Sequence, residues 1–71
     1  MKVTGRVVFR DLGAGAWTLE SEDGRTYQLL GAGGDLLREG ARVVVEGELD
    51  AGAATTAMVG PVLRVRRWQP A

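Results

Sequence analysis

Apolar and polar residues alternate along five stretches of the chain, and glycine-rich or charged breaks separate these stretches. An alternation with a period of two places successive side chains on opposite faces, which is typical of β-strands with one buried face. The expected strands cover residues 3–10, 17–21, 25–30, 42–49 and 57–68. The pattern therefore predicts a mainly β protein.

The break between the second and third strands predicts a particular hairpin. An Asp-Gly pair often forms a two-residue turn, but that turn would place Glu20 opposite Tyr27 and mix the buried face with the exposed one. A three-residue loop over residues 22–24 instead places Leu19 opposite Tyr27. We therefore expect a type I turn followed by Gly24 in the left-handed conformation, and we expect Gly24→Val to destabilise the domain.

The break between the third and fourth strands, residues 31–40, predicts one short helix. Asp35 suits the helix N-cap, and Gly40 is a natural stop. Leu36 and Leu37 lie between them and would close one end of a barrel. Five strands with a short helix between the third and fourth is the element order of an OB-fold barrel.

The alternative architecture is an SH3-like barrel, which also has five strands and a similar size. Its helical turn lies between the fourth and fifth strands, where this chain has small and polar residues that favour a mobile loop, residues 50–56. We therefore expect an all-β, OB-fold-like barrel, closed or partly open. Because the chain has only 71 residues, a single domain over residues 1–71 is expected.

The whole chain also resembles a known group of small domains. The motifs that carry the resemblance are TGRVV, GAWTLESEDGRTYQLLG, LLREGARVVVEGEL and PVLRVRRW. With these motifs the chain resembles small bacterial OB-fold domains of uncharacterised function. The resemblance implies the fold and a solitary domain, and it brings no catalytic or binding residues to transfer.

The composition argues against catalysis. The chain contains no cysteine and no histidine, so disulfides, thiolate ligands and the commonest general base are missing. Its only serine, Ser21, has no histidine partner and adjoins a turn. The glycines within residues 31–34 superficially resemble a phosphate-binding loop, but Asp35 occupies the position where an anion would bind. We expect a non-enzymatic protein that uses no cofactor and no metal.

The overall charge gives no indication of an acidic partner. Nine Lys and Arg residues balance nine Asp and Glu residues, so the formal net charge is zero. The longest apolar run, residues 43–45, is far shorter than the ~18 residues of a membrane span, and the first residues do not form a secretory signal. We expect a cytoplasmic protein with no membrane partner.

Nucleic-acid binding is the common activity of OB folds, which bind single strands across the outer face of strands 2 and 3 with aromatic and cationic residues. In this chain the outward residues of those strands are neutral or acidic, namely Thr18, Glu20, Thr26, Gln28 and Leu30. The opposing indication is a basic cluster near the carboxyl end, Arg64, Arg66, Arg67 and Trp68. Weak single-strand binding through this cluster is therefore an alternative and disfavoured function.

Three outward valines indicate a different partner. Val8, Val44 and Val62 have outward parity on strands 1, 4 and 5, and in the OB topology strand 4 lies between the other two. They would form an apolar stripe with a charged border, which is the anatomy of a protein–protein contact. We therefore expect a non-catalytic binding or interaction module whose partner is another protein or a second copy of the chain.

Overall fold

Five strands form the structure, in the order that the alternation predicts. The structure is a computed structural model and describes residues 1–11, 15–31, 34–50 and 60–71. The strands are β1 (Lys2–Arg10), β2 (Ala16–Ser21), β3 (Thr26–Leu30), β4 (Arg42–Leu49) and β5 (Val62–Pro70). The last strand thus ends later than predicted, residues 60 and 61 precede it, and residues 57–59 of the prediction lie outside the described residues. Apart from Asp50, the predicted mobile loop lies outside the described residues.

The strands close into a barrel with the order β1-β2-β3-β5-β4, in which β4 also pairs with β1. The β3–β5 pairing is parallel, and the other pairings are antiparallel. β1 is shared, because Lys2–Arg6 pairs with β4 and residues 5–10 pair with β2. The predicted all-β class and five-stranded barrel are confirmed. Within the described ranges, no helix has the length and apolarity that crossing a membrane requires.

The hairpin between β2 and β3 has the predicted register. Leu19 lies opposite Tyr27, so both side chains point into the barrel. The Gly24 N–H donates to the Ser21 carbonyl at 3.0 Å, and the Ser21 N–H donates to the Arg25 carbonyl at 2.7 Å. Gly24 has a φ of 89°, in the left-handed region that favours glycine. The prediction of a three-residue loop is confirmed.

The segment before β4 differs from the predicted short helix. Residues 34–41 form turns, in which the Arg38 N–H donates to the Leu36 carbonyl at 2.8 Å and the Ala41 N–H to the Arg38 carbonyl at 3.1 Å. The Ala41 carbonyl binds the Val7 N–H at 2.8 Å, so the backbone is directed across to β1 rather than along a helix. Leu36 is nevertheless fully buried, and it closes this end of the barrel.

Apolar side chains from every strand fill the interior of the barrel, at the alternating positions that point inward. The buried core consists of Val3, Val7, Leu19, Tyr27, Leu29, Leu36, Val43, Val45 and Leu63. Partly buried residues pack against this core, namely Trp17, Leu37, Ala41, Val65 and Trp68. Core residues and partly buried ones therefore form one continuous apolar cluster, in which Trp68 belongs to the outer layer.

A β-bulge interrupts the pairing of β4 with β5. Glu46 lies opposite Arg67, whereas the next residue, Gly47, lies opposite Val65. Arg66 is therefore the extra residue on β5. A bulge of this kind increases the local twist and changes the parity of the residues that follow. Simple alternation along the whole of β5 therefore predicts the wrong direction for the side chains that follow Arg66.

Candidate functional site

The three valines of the predicted interface do not form one stripe. Val44 lies opposite Thr4 on β1 and Gln69 on β5, so polar residues flank it on both sides. Val62 is only 5% exposed and cannot belong to an exposed patch. Val8 lies beyond the part of β1 that pairs with β4.

The separation of the valines follows from the way in which β1 is shared. Past residue 6, β1 leaves β4 and pairs with β2 alone, and there Val8 lies opposite Thr18. β5 enters the barrel beside β3, where Val62 lies opposite Gln28. Of the three valines, only Val44 therefore lies on the part of the wall where β1, β4 and β5 are adjacent. The predicted contiguous stripe is wrong.

The three arginines of the predicted basic cluster form ion pairs with acidic residues on β4 or directly after it. All three guanidinium groups point away from the barrel interior and are largely exposed. Cross-strand pairs of this kind contribute only about 0–1 kcal/mol each to stability, but they neutralise the charge of the cluster. The pairs are Arg64–Asp50 at 2.7 Å, Arg66–Glu48 at 2.8 Å and Arg67–Glu46 at 3.1 Å.

Trp68 points in a different direction from those arginines. It lies opposite Val45, a fully buried residue, and packs partly buried against the core. The bulge at Arg66 accounts for this position, because it allows Arg67 to point outward and the next residue to point inward. The three arginines and Trp68 of the predicted cluster therefore point in opposite directions, the arginines outward and Trp68 toward the core.

Two depressions adjoin at Trp68. The first, which we name the wall groove, lies on the outer face of β4 and β5, and its lining residues are Lys2, Val44, Glu46, Arg67, Trp68 and Gln69. The second, which we name the end cleft, has apolar lining residues Ala41, Val43, Trp68 and Pro70 and charged lining residues Asp35, Arg38 and Arg42. Because Trp68 lines both, we name the two together the Trp68 surface. This surface unites Val44, from the predicted interface, with Trp68, from the predicted basic cluster.

The charged border of the end cleft consists of two arginines, Arg38 and Arg42, and one carboxylate, Asp35. Arg42 donates to the Glu22 carboxylate at 2.7 Å, across β1. Arg6 on β1 lies directly opposite Arg42, which brings two like charges together on adjacent strands. Arg38 lies on the segment that covers this end of the barrel and also lines the cleft. The distribution of charge is therefore uneven although the net charge of the chain is zero.

The outer face of β2 and β3 offers less access. Thr18 is fully buried, and its hydroxyl donates to the Val8 carbonyl at 2.8 Å. Gln28, the next residue across the sheet, is also buried. Arg10 forms an ion pair with the Glu20 carboxylate at 2.6 Å. Thr18 and Gln28, at the centre of this face, are thus inaccessible to a ligand.

An exposed aromatic pair was not singled out from the sequence. The rings of Phe9 and Trp17 meet edge to face, with centroids 5.1 Å apart and an interplanar angle of 63°. Phe9 is 44% exposed although its parity is inward, because it lies near the end of β1, where the barrel wall stops. Its N–H donates to a Glu39 carboxylate oxygen at 2.6 Å. Position at a strand end was the only signal in the sequence that could have indicated this exposure.

The described residues contain no cluster of three or more acidic side chains that could hold a metal ion. The Ser21 hydroxyl first, and then the Arg25 backbone N–H, hold the pKa of Asp23 below its ordinary value. Asp23 lies in the exposed hairpin turn and lines neither depression. The chain matches no family model, and comparison with curated proteins and with solved structures likewise finds no match.

Proposed function

We propose that this chain is an OB-type barrel that acts as a non-catalytic binding module. The strand order supports the OB assignment, because β4 lies between β1 and β5 and because β3 and β5 pair in parallel. This order agrees with the resemblance to small bacterial OB-fold domains, which stays a prediction. The short helix that usually accompanies the fold is replaced by turns in residues 34–41.

The partner that we propose is a protein, and it docks on the Trp68 surface. The observation that carries this proposal is that Trp68 lines both the wall groove and the end cleft. Tryptophan is enriched among the residues that dominate binding energy at protein interfaces, because it combines a large apolar area with few rotatable bonds. A partly buried tryptophan between two depressions can contact a partner without leaving its own core.

The surroundings of Trp68 have the composition of an interface. Val44 supplies an outward apolar side chain in the wall groove, and the charged residues Lys2, Glu46 and Arg67 border it. An apolar centre with a polar border is typical of protein–protein contacts. The patch is small, so it favours a short segment of a partner rather than a broad, obligate interface.

A protein partner accounts for this surface better than a nucleic acid does. Glu46 and Glu48 lie along β4 beside the arginines that they pair with. A nucleic-acid strand across this wall would bring its phosphates close to those carboxylates. Nucleic-acid binding through arginines also requires free cations that replace counterions, and the paired arginines of β5 do not supply them.

The proposal is tested with two valine variants that change no charge. Val44→Gln removes the apolar side chain in the wall groove, whereas Val8→Gln makes the same change at an equally partly buried position that lines neither depression. Each protein is used to isolate partners from its own source cells, and light scattering measures self-association. We expect Val44→Gln to weaken partner binding, or dissociate a homo-oligomer, by about tenfold, and Val8→Gln to resemble the wild type.

Unfolding of both variants in urea provides the control for folding. If Val44→Gln and Val8→Gln bind the same partners with the same affinity, the Trp68 surface is not the docking site. If the loss is equal in both variants, it reflects stability rather than contact. A wild-type dimer that Val44→Gln dissociates identifies the partner as a second copy of the chain.

A further inference from the structure

Arginines lie close together beside the end cleft, and Arg6 also lies opposite Glu20 on β2. Arg6 and Arg42 lie directly opposite each other on antiparallel strands. Like charges in that position repel and are destabilising. Arg42 has one acidic partner, Glu22, at 2.7 Å. Among the described residues Arg6 and Arg38 form no ion pair, so two guanidinium groups near the cleft retain their charge for an external anion.

The end cleft itself combines this charge with an apolar floor. Ala41, Val43, Trp68 and Pro70 line it on the apolar side. Its volume of about 260 Å³ lies below the ~300–1,000 Å³ of pockets that hold a whole small-molecule ligand. The cleft is therefore suited to one bulky side chain rather than to an extended ligand.

We propose that the end cleft binds an acidic peptide segment of a protein partner, with a bulky apolar side chain against Trp68 and a neighbouring carboxylate at Arg38. This inference rests on the proposed function, whose docking surface it specifies. Guanidinium groups bind carboxylates through two parallel hydrogen bonds, which gives both attraction and orientation. Arg6 adds long-range attraction, and Asp35 accepts a hydrogen bond from a backbone N–H of the peptide.

Charge complementarity is the reason to choose a peptide over an oligonucleotide. Arg38 and Arg6, which are unpaired among the described residues, lie on the end-cleft side of the Trp68 surface, whereas Glu46 and Glu48 follow along β4 and Lys2 lies opposite Glu46. A peptide places a single carboxylate at the cationic end and leaves the rest of the wall to neutral residues. Successive phosphates of an oligonucleotide would instead continue toward the carboxylates, and Trp68 alone provides a stacking ring in the end cleft.

The experiment selects short random peptides, displayed on phage, against the immobilised protein. Selected peptides are synthesised with a fluorescent label, and their affinities are measured by anisotropy for the wild type and for Arg38→Glu. The control is Arg25→Glu, which changes the net charge equally in the exposed hairpin turn and lies in neither depression. We expect an acidic residue beside a bulky apolar one in the selected peptides, and about tenfold weaker binding to Arg38→Glu than to Arg25→Glu.

A second variant separates binding from folding. Arg6→Gln removes both the repulsion with Arg42 and the attraction to Glu20, so we expect its stability to stay close to that of the wild type while its affinity for the acidic peptides falls. A structural role alone would move stability without moving affinity. If Arg6→Gln and Arg38→Glu both bind the peptides as tightly as Arg25→Glu does, the inference is overturned.

The outcomes also distinguish the inference from the function on which it rests. Peptides that lose affinity in Val44→Gln but show no acidic preference overturn the inference and leave the proposed function standing. A selection that yields no peptides counts against both. Labelled oligo-dT that binds at low salt and loses affinity in Arg38→Glu, when peptides do not bind, assigns the cleft to nucleic acid instead.

Discussion

The outward residues of the β2–β3 wall and those of the β4–β5 wall differ in how exposed they are. On the β2–β3 wall, Thr18 and Gln28 point away from the core and are nevertheless buried. On the β4–β5 wall, the outward residue Val44 is apolar and nevertheless keeps part of its surface accessible. Outward parity therefore predicted access at Val44 but not at Thr18 and Gln28, because exposure depends on the neighbouring residues and not only on the direction of the side chain.

The difference also concerns how each pair of strands is joined. The β2–β3 hairpin has a short turn whose register the turn residues determine. β4 and β5 are joined by a longer connection than β2 and β3 are, and their pairing contains a bulge. A hairpin turn is therefore accessible to prediction from local sequence, whereas the parity of β5 depends on a contact between distant residues. This contrast can be tested with glycines, since each region uses one for a different reason.

The largest effect is expected in the β4–β5 wall, for Gly47→Ala. A Cβ atom at this position would collide with the backbone carbonyl oxygen of Arg64, and backbone in a closed barrel cannot move aside cheaply. We expect the free energy of unfolding to fall by about 3 kcal/mol. Urea unfolding measures this loss. A loss of stability smaller than that of Gly24→Ala in the hairpin would show that the bulge is more adaptable than the geometry indicates.

A smaller effect is expected in the hairpin, for Gly24→Ala. No atom lies within 4 Å of the added Cβ, so the cost comes only from the φ of 89°, which an L-residue rarely adopts. The variant also restricts the unfolded chain, which offsets part of that cost. We expect a loss of about 1 kcal/mol in urea unfolding, with an unchanged dependence on urea concentration. A loss equal to that of Gly47→Ala would mean that the turn conformation is as restrictive as a steric collision.

The smallest expected effect is on the pH dependence of stability, and it again involves a residue of the hairpin. The pKa of Asp23 is lowered by the Ser21 hydroxyl first and by the Arg25 backbone N–H as well. Because the folded pKa lies below the unfolded one, the carboxylate stabilises the fold above about pH 4, and this contribution is lost as the pH falls through the folded pKa.

The corresponding variant is Asp23→Asn, studied by thermal unfolding at several pH values. Wild type should be slightly more stable than Asp23→Asn near neutral pH, and the difference should shrink in acid, while the remaining carboxylates titrate alike in both proteins. Asp23 is exposed, so the difference is expected to be small. A difference that is constant from neutral to acidic pH would contradict the assignment.

The candidate site was only partly accessible to prediction. Val44 and Trp68 were both singled out from the sequence, but as members of two separate groups with different partners. Only the bulge at Arg66 directs Trp68 toward the core, and only the β1–β4 pairing sets Arg6 opposite Arg42. No local pattern contains these contacts, because they join residues that are distant in the chain.

The sequence by itself determined the strands, the barrel class and the hairpin register, since each depends on alternation and turn residues within a few positions. It also determined the burial of Leu36, although not the turns that position it. The tertiary structure decided which outward residues are exposed, which arginines are neutralised by β4 and which remain free near Trp68. The physical reason is that strand identity is a local property, whereas the composition of a surface depends on the register between strands that the chain brings together from far apart.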